Sequence, residues 1–206
     1  MNKALILLVT LGLTACSSPD MRYYTLQDVA PVRVDTPATP ADFQFEVLNV
    51  RVPTQVDIPQ LVVRRSQTGL IVLENDRWSA PLADEFQAAI ADRLERRLGT
   101  GNLAGLPKDK QRPILSVQID VQRFDSLPGQ YVLLDAMWSL RLRGGGDQPA
   151  RTLTCNNKLS QPAGLALNNL VLAHQKVLDQ LAEVIAKKAI DWAAKNTLSE
   201  SAQKCS

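Results

Sequence analysis

Three cysteines and one histidine are the side chains of this 206-residue sequence best suited to nucleophilic, metal-binding or redox chemistry. The cysteines, Cys16, Cys155 and Cys205, lie far apart, and no Cys-x-x-Cys pair supplies the spacing typical of a zinc site. His174 is the only histidine available for a hydrolase triad, and no Gly-x-Ser-x-Gly elbow accompanies it. We therefore expect no catalytic residues, no metal and no cofactor, and a hydrolase is the weakest alternative.

The first sixteen residues have the pattern of a lipoprotein export signal. Lys3 precedes an apolar run over residues 4–13, which is too short to cross a hydrocarbon core of about 30 Å. Leu13-Thr14-Ala15-Cys16 then resembles the bacterial lipobox, in which the cysteine thiol takes a diacylglyceryl group and the preceding peptide is cleaved. We predict a signal peptide over residues 1–15 and lipidation of Cys16. An ordinary signal peptide that happens to contain a cysteine is the alternative.

Lipidation would consume Cys16 and leave two thiols, Cys155 and Cys205. An exported protein meets an oxidising environment, which favours a disulfide between them. Such a bridge would hold a polar C-terminal tail, residues 197–206, against the strand around Cys155. Two separate free thiols are the alternative.

Composition favours a single globular domain. Hydrophobic residues make up 45% of the chain, and without Lys3 the 22 basic side chains nearly balance 21 acidic ones. No basic patch stands out, so we expect no nucleic-acid partner. We divide the mature chain into a lipidated cysteine, short strand and Pro-rich linker over residues 16–42, a domain over residues 43–196, and the tail.

Hydrophobic periodicity predicts an α+β fold, a mostly antiparallel sheet with two helices packed on one face. One helix runs from Pro81 to Gly99, and the other covers about residues 168–194. Alternating residues predict strands over 43–52 (with a bulge near Leu48), 69–73, 115–121, 134–142 and around 151–159. We expect an exposed charged face on the first helix, formed by Asp84, Glu85, Asp92, Arg93, Glu95 and Arg96.

His174 falls on the apolar stripe of the second helix. A histidine at such a position is far more often a hydrogen-bonded core residue than a ligand or a base, and we favour the core interpretation.

Several short motifs occur in a fixed order behind the lipobox. Tyr23-Tyr24-Thr25-Leu26 is followed by Val50-Arg51-Val52-Pro53, Ile58-Pro59-Gln60-Leu61 and Arg77-Trp78-Ser79-Ala80-Pro81-Leu82. This order resembles the ABC-type transport auxiliary lipoproteins over nearly the whole mature chain, to about Ala194. The long Pro-rich linker and the end at Lys204-Cys205-Ser206 depart from the family pattern.

The resemblance implies a non-enzymatic accessory of a system that moves lipids between two membranes. Its partners would be a periplasm-spanning MCE-domain protein and an inner-membrane component, with a ring-like homo-oligomer also implied. Ser17 replaces the aspartate that retains such lipoproteins at the inner membrane, which favours anchoring at the outer membrane. An envelope-assembly or secretion module, and a subunit that itself carries lipid, are the alternatives.

The partner surface that the resemblance suggests consists of Tyr23, Tyr24, Arg77 and Trp78, since aromatic residues and arginine dominate interface hot spots. The opposing interpretation places Tyr24, Trp78 and Leu82 in the core.

Overall fold

The computed structural model describes residues 20–28, 40–144, 149–195 and 203–205, and these form an α+β fold, as predicted. The described residues form ten elements: β1 (Arg22–Tyr24), β2 (Gln44–Val47), β3 (Gln60–Arg64), β4 (Leu70–Trp78), α1 (Leu82–Leu98), β5 (Ile114–Leu127), β6 (Tyr131–Arg143), β7 (Arg151–Pro162), α2 (Leu167–Ala194) and β8 (Gln203–Lys204).

Two mixed sheets replace the single, mostly antiparallel sheet that the sequence predicts. The larger has the order β2-β5-β6-β7-β8. Its central strands β5, β6 and β7 are antiparallel neighbours, while β2 and β8 pair in parallel at the two edges. Alternate residues of β5 and β6 are buried on the face that the helices cover, so the predicted hairpin is confirmed.

Helix α1 follows the predicted signals closely. Pro81 precedes the first turn in an extended conformation, where its missing N–H has no helical partner to lose. Gly99 ends the helix with a φ of 64°, a left-handed conformation that glycine adopts without steric cost. The apolar residues that recur every four positions are all buried: Leu82, Phe86, Ile90, Leu94 and Leu98.

The predicted charged face of α1 is wrong for two residues, because Glu85 and Arg93 are almost fully buried. With Ala89 they form a second stripe, and α2 packs against α1 along its length. The Arg93 guanidinium donates to the carbonyl oxygen of Ala89 (2.8 Å), and its burial lowers its pKa. Asp84 and Arg96 are exposed, as predicted.

The smaller sheet has the order β1-β4-β3, with β1 parallel and β3 antiparallel to β4. Strand β3 was not predicted, since the apolar residues of 60–64 follow a proline-bracketed stretch that reads as irregular. The sheet packs beside the end of β5, where Arg64 Nε lies 2.9 Å from Asp125 Oδ1. This contact explains why β5 is buried on both sides there, at Phe124, Asp125 and Ser126.

Candidate partner-binding surface

The structure brings the first and last of the sequence motifs together. Strand β1 lies beside the end of β4, and the parallel register places Tyr23 opposite Arg77 and Tyr24 opposite Trp78. The pairing continues beyond β4, where the Ser79 amide donates to the carbonyl oxygen of Tyr24 at 2.8 Å. The motifs around Tyr23 and Arg77 therefore form one continuous structural unit.

The exposure of these four residues divides them into two groups. The side chain of Tyr23 is 64% exposed and that of Arg77 is half-buried, so both are accessible to a partner. Trp78 is only 6% exposed and packs edge-on against Phe124, with ring centroids 6.2 Å apart. This burial supports the core interpretation of Trp78, whose ring packs between the two sheets.

Tyr24 is partly buried and has a structural contact of its own. Its hydroxyl donates to Asp76 Oδ1 at 3.1 Å, and the same buried carboxylate accepts a hydrogen bond from Arg22 at 2.9 Å. Burial, followed by the bond to Asp76, raises the pKa of the Tyr24 phenol. Asp76 thus fixes β1 against β4 and leaves Tyr23 as the outward-facing aromatic residue of the strand.

A second buried carboxylate, Glu85, holds the chain immediately after β1. It accepts hydrogen bonds from the Thr25 hydroxyl and the Leu26 amide, both at 2.8 Å, and from the Ser79 hydroxyl. Gln175 of α2 adds bonds from its side-chain amide to the carbonyl oxygens of Thr25 and Gln27 at 3.1 and 3.0 Å. The short segment that follows β1 is therefore joined to both helices.

Sequence reasoning missed Asp76 and wrongly placed Glu85 on the exposed face of α1. The available signal was their position: Asp76 directly precedes the Arg77-Trp78 motif, and Glu85 lies one residue before the buried Phe86 in the first turn of α1. A carboxylate beside core positions in this way needs several donors, and the neighbouring motifs provide them.

His174 is buried, so the core interpretation of it is confirmed. Its Nε2 atom lies 2.7 Å from the Ser126 hydroxyl, and its ring stacks on Phe124 with centroids 4.0 Å apart. Burial lowers its pKa to about 3, and within the described residues Nδ1 has no hydrogen-bond partner. A serine–histidine pair without a third group to orient the ring, and closed to solvent, does not have the geometry of a nucleophilic site.

The described residues contain no cluster of three or more histidine, cysteine or acidic side chains arranged for a metal ion. Neither of the helices within those residues has the length and apolar character needed to cross a bilayer.

An apolar groove of about 330 Å³ lies at the far end of the helices from β1. At this end the Ala41 amide donates to the carbonyl oxygen of Leu98, the last residue of α1. The seventeen residues of α1 place the groove about 25 Å from the β1 end. Its apolar lining includes Phe43, Pro113, Leu142, Ile190 and Ala193. The groove thus lies between the end of β6, at Leu142, and the C-terminal end of α2, at Ile190 and Ala193.

The two cysteines predicted to pair are adjacent, with Cα atoms 4.9 Å apart. Strand β8 pairs in parallel with β7 just before Cys205, whose amide donates to the carbonyl oxygen of Thr154 at 2.9 Å. This separation lies within the range that disulfides span, so the geometry supports the predicted bridge. Cys16, the predicted lipidation site, lies outside the described residues.

Solved structures share this fold. The chain resembles an uncharacterized protein, at 17% identity over 83% of this chain and 99% of the other, with a TM-score of 0.64. A Xanthomonas campestris protein of the DUF330 family matches at 20% identity over 85% of this chain and 99% of that protein, with a TM-score of 0.58. At such identities the likeness shows the fold alone.

No curated protein matches this chain with significance. Among protein families, residues 24–186 match the one described as the ABC-type transport auxiliary lipoprotein component. The match covers well over half of the chain. It begins at Tyr24, so it includes Arg77 and starts one residue after Tyr23. The chain belongs to the ABC-type transport auxiliary lipoprotein family.

Proposed function

We propose that this protein is a non-enzymatic, lipid-anchored accessory subunit of an MCE-type intermembrane lipid transport system of the paraquat-inducible (Pqi) kind. It is anchored through Cys16 at the periplasmic face of the outer membrane, where it docks the component that spans the periplasm. The observation that carries the proposal is the exposed Tyr23–Arg77 pair. Arg77 lies within the region that matches a transport auxiliary family, and Tyr23 directly precedes that region.

The surroundings of this pair suit it to protein recognition. Tyrosine and arginine are the residue types that most often supply binding energy at interfaces. The backbone beneath them is held by Asp76 and Glu85 through five side-chain hydrogen bonds, so little conformational freedom is lost on binding. Tyr24 and Trp78 support the surface from below.

The position of the pair also suits a dock at a membrane. Arg22, at the start of β1, lies six positions after the predicted lipidation site, Cys16, and an extended chain spans at most about 21 Å over six positions. A partner that binds Tyr23 and Arg77 would therefore be held close to the outer membrane. Ser17 after the lipidated cysteine supports sorting to that membrane.

The test is co-purification of an MCE-domain protein with tagged variants from cell envelopes. We expect Tyr23→Ala and Arg77→Glu each to lower recovery of the partner at least about tenfold, as loss of a hot-spot residue does. Matched controls are Met137→Ala and Arg112→Glu, which change exposed residues on other parts of the molecule. Circular dichroism should show all four variants folded.

Two results would count against the proposal. Equal recovery with all four variants would remove the Tyr23–Arg77 surface from partner binding. If the wild-type protein instead recovers a secretion or envelope-assembly complex and no MCE-domain protein, the chain is a structural module of that other machinery.

A further inference from the structure

The end of the β3–β4 hairpin carries three consecutive apolar residues that are exposed. Leu70, Ile71 and Val72 keep 45%, 38% and 42% of their surface accessible. Successive strand residues point to opposite faces, so apolar side chains are exposed on both faces of the hairpin. Cross-strand pairing places Val62 beside Val72 and thereby extends the apolar surface onto β3. An apolar patch of this kind on two faces marks an interaction site.

One edge of the hairpin is also open. Strand β1 pairs with β4 only from Asp76 to Trp78, and no strand within the described residues pairs with that edge from Leu70 to Asn75. The hairpin therefore projects beyond the rest of the three-stranded sheet.

The charged residues near the end of the hairpin are positive, and the acidic residues of β4, Glu74 and Asp76, lie farther along the strand. The segment from Gln60 to Leu73 contains two arginines and no acidic residue. Arg64 forms an ion pair with Asp125, while Arg65 lies exposed at the turn. A surface that combines apolar side chains with exposed arginine matches the boundary between headgroups and acyl chains in a bilayer that contains anionic lipid.

The register of β1 shows where this surface lies relative to the anchor. Because β1 runs parallel to β4, the chain enters β1 from the side on which β4 begins. Leu70 precedes Asp76 by six residues, or about 20 Å of strand. Cys16 precedes Arg22, the register partner of Asp76, by the same number of residues. The tether can thus reach the level of the hairpin end.

We infer that the hairpin end, residues 65–72, rests on the bilayer into which the acyl chains of Cys16 insert. The occupant of this apolar surface is the lipid surface itself. Leu70, Ile71 and Val72 contact the upper acyl region, Arg65 contacts headgroup phosphates, and the open strand edge stays at headgroup level where water can bond it. The inference rests on the proposed lipid anchor. Two contacts, tether and hairpin, would fix the orientation in which Tyr23 and Arg77 face their partner.

Depth-dependent fluorescence in liposomes tests this contact. The lipidated full-length protein, carrying Val72→Cys labelled with an environment-sensitive fluorophore, is reconstituted into vesicles of phosphatidylethanolamine and phosphatidylglycerol. We expect a blue-shifted emission and severalfold quenching by lipids with a spin label on the acyl chain. The matched control is the same label at Met137→Cys, an equally exposed apolar position on the five-stranded sheet, which should stay unquenched.

Palmitate incorporation at Cys16, measured on the same preparations, separates the two claims. If the protein is lipidated and the label at position 72 behaves like the one at position 137, the hairpin contact is wrong and the anchor stands. A blue-shifted emission at position 72 without quenching by the spin-labelled lipids would indicate a protein contact and would also overturn the inference. A chain without palmitate would remove the anchor, and the inference with it. In a folded Ile71→Glu variant, the quenching at position 72 should fall severalfold.

Discussion

At the scale of single residues, His174 shows how burial suppresses the chemistry of a titratable group. Its ring stacks on Phe124 and bonds Ser126, and no charged side chain is among these contacts. Burial alone lowers its pKa to about 3, which keeps the imidazole neutral at physiological pH. The histidine stabilises the packing between β5 and α2.

This shift predicts a dependence of stability on pH. The unfolded chain binds a proton at His174 near pH 6.5 and the folded chain near pH 3, so between these values the unfolded state holds more protons. The free energy of unfolding should therefore fall as the pH drops through this window, by up to about 1.4 kcal/mol per pH unit from this group. Urea unfolding of wild type and His174→Gln at pH 7 and pH 5 measures the difference. An equal change in the free energy of unfolding between pH 7 and pH 5 for the two proteins would contradict the lowered pKa of His174.

Glu85 is the residue whose loss should affect the β1 segment most. Glu85→Ala leaves the Leu26 amide and the hydroxyls of Thr25 and Ser79 without their acceptor. We expect the free energy of unfolding to fall by roughly 2–3 kcal/mol, mainly because the buried Leu26 amide is left unpaired and the partly buried Thr25 hydroxyl loses its acceptor. Asp84→Ala, in the same turn but exposed, is the matched control and should cost less than about 1 kcal/mol. If denaturant unfolding shows the same loss of unfolding free energy for both variants, Glu85 does not hold the segment after β1.

At the scale of elements, local patterns predicted some structures well and others not at all. Helix α1 and the β5–β6 hairpin were predictable because their periodicity and end signals lie within the elements themselves. The parallel pairing of β1 with β4 joins residues 54 positions apart and has no local signature. The missed strand β3 is short and follows two prolines. Burial of Arg93 depends on where α2 packs, which the sequence of α1 does not encode.

The candidate partner surface was likewise predictable from the sequence only in part. Resemblance to the family identified Tyr23 and Arg77 as residues of interest, although only the sheet register showed that they are neighbours. For Trp78 the sequence left a partner surface and the core as alternatives, and the packing of one sheet against the other buries it. Asp76 was missed and Glu85 was predicted to be exposed, because the donors that surround these carboxylates come partly from the distant β1 segment.

The bridge between β7 and the segment after β8 is a prediction at this scale. Non-reducing mass spectrometry of protein from an oxidising periplasm should show the peptides of Cys155 and Cys205 linked. In the chain-entropy model a loop of this length contributes on the order of 4 kcal/mol, so reduction should lower the stability measurably. Alkylation of both thiols without prior reduction would disprove the bridge.

At the scale of the whole molecule, the described structure has two distinct ends. The β1 end carries the exposed Tyr23–Arg77 pair and the apolar hairpin, while the groove near Phe43 lies about 25 Å away at the other end of α1. Under the proposed function, the partner surface and the lipid anchor would share the β1 end. The proposed docking role does not depend on the chemistry of a titratable group.

The most direct test of the account is restoration of the membrane barrier in cells that lack the gene. Detergent sensitivity is measured after expression of wild type, Cys16→Ala and His174→Gln, each checked for folding by circular dichroism. The account predicts that wild type and His174→Gln restore the barrier and that Cys16→Ala does not, because function needs the anchor and no imidazole chemistry. Full restoration by Cys16→Ala, or loss of function in a well-folded His174→Gln protein, would contradict it.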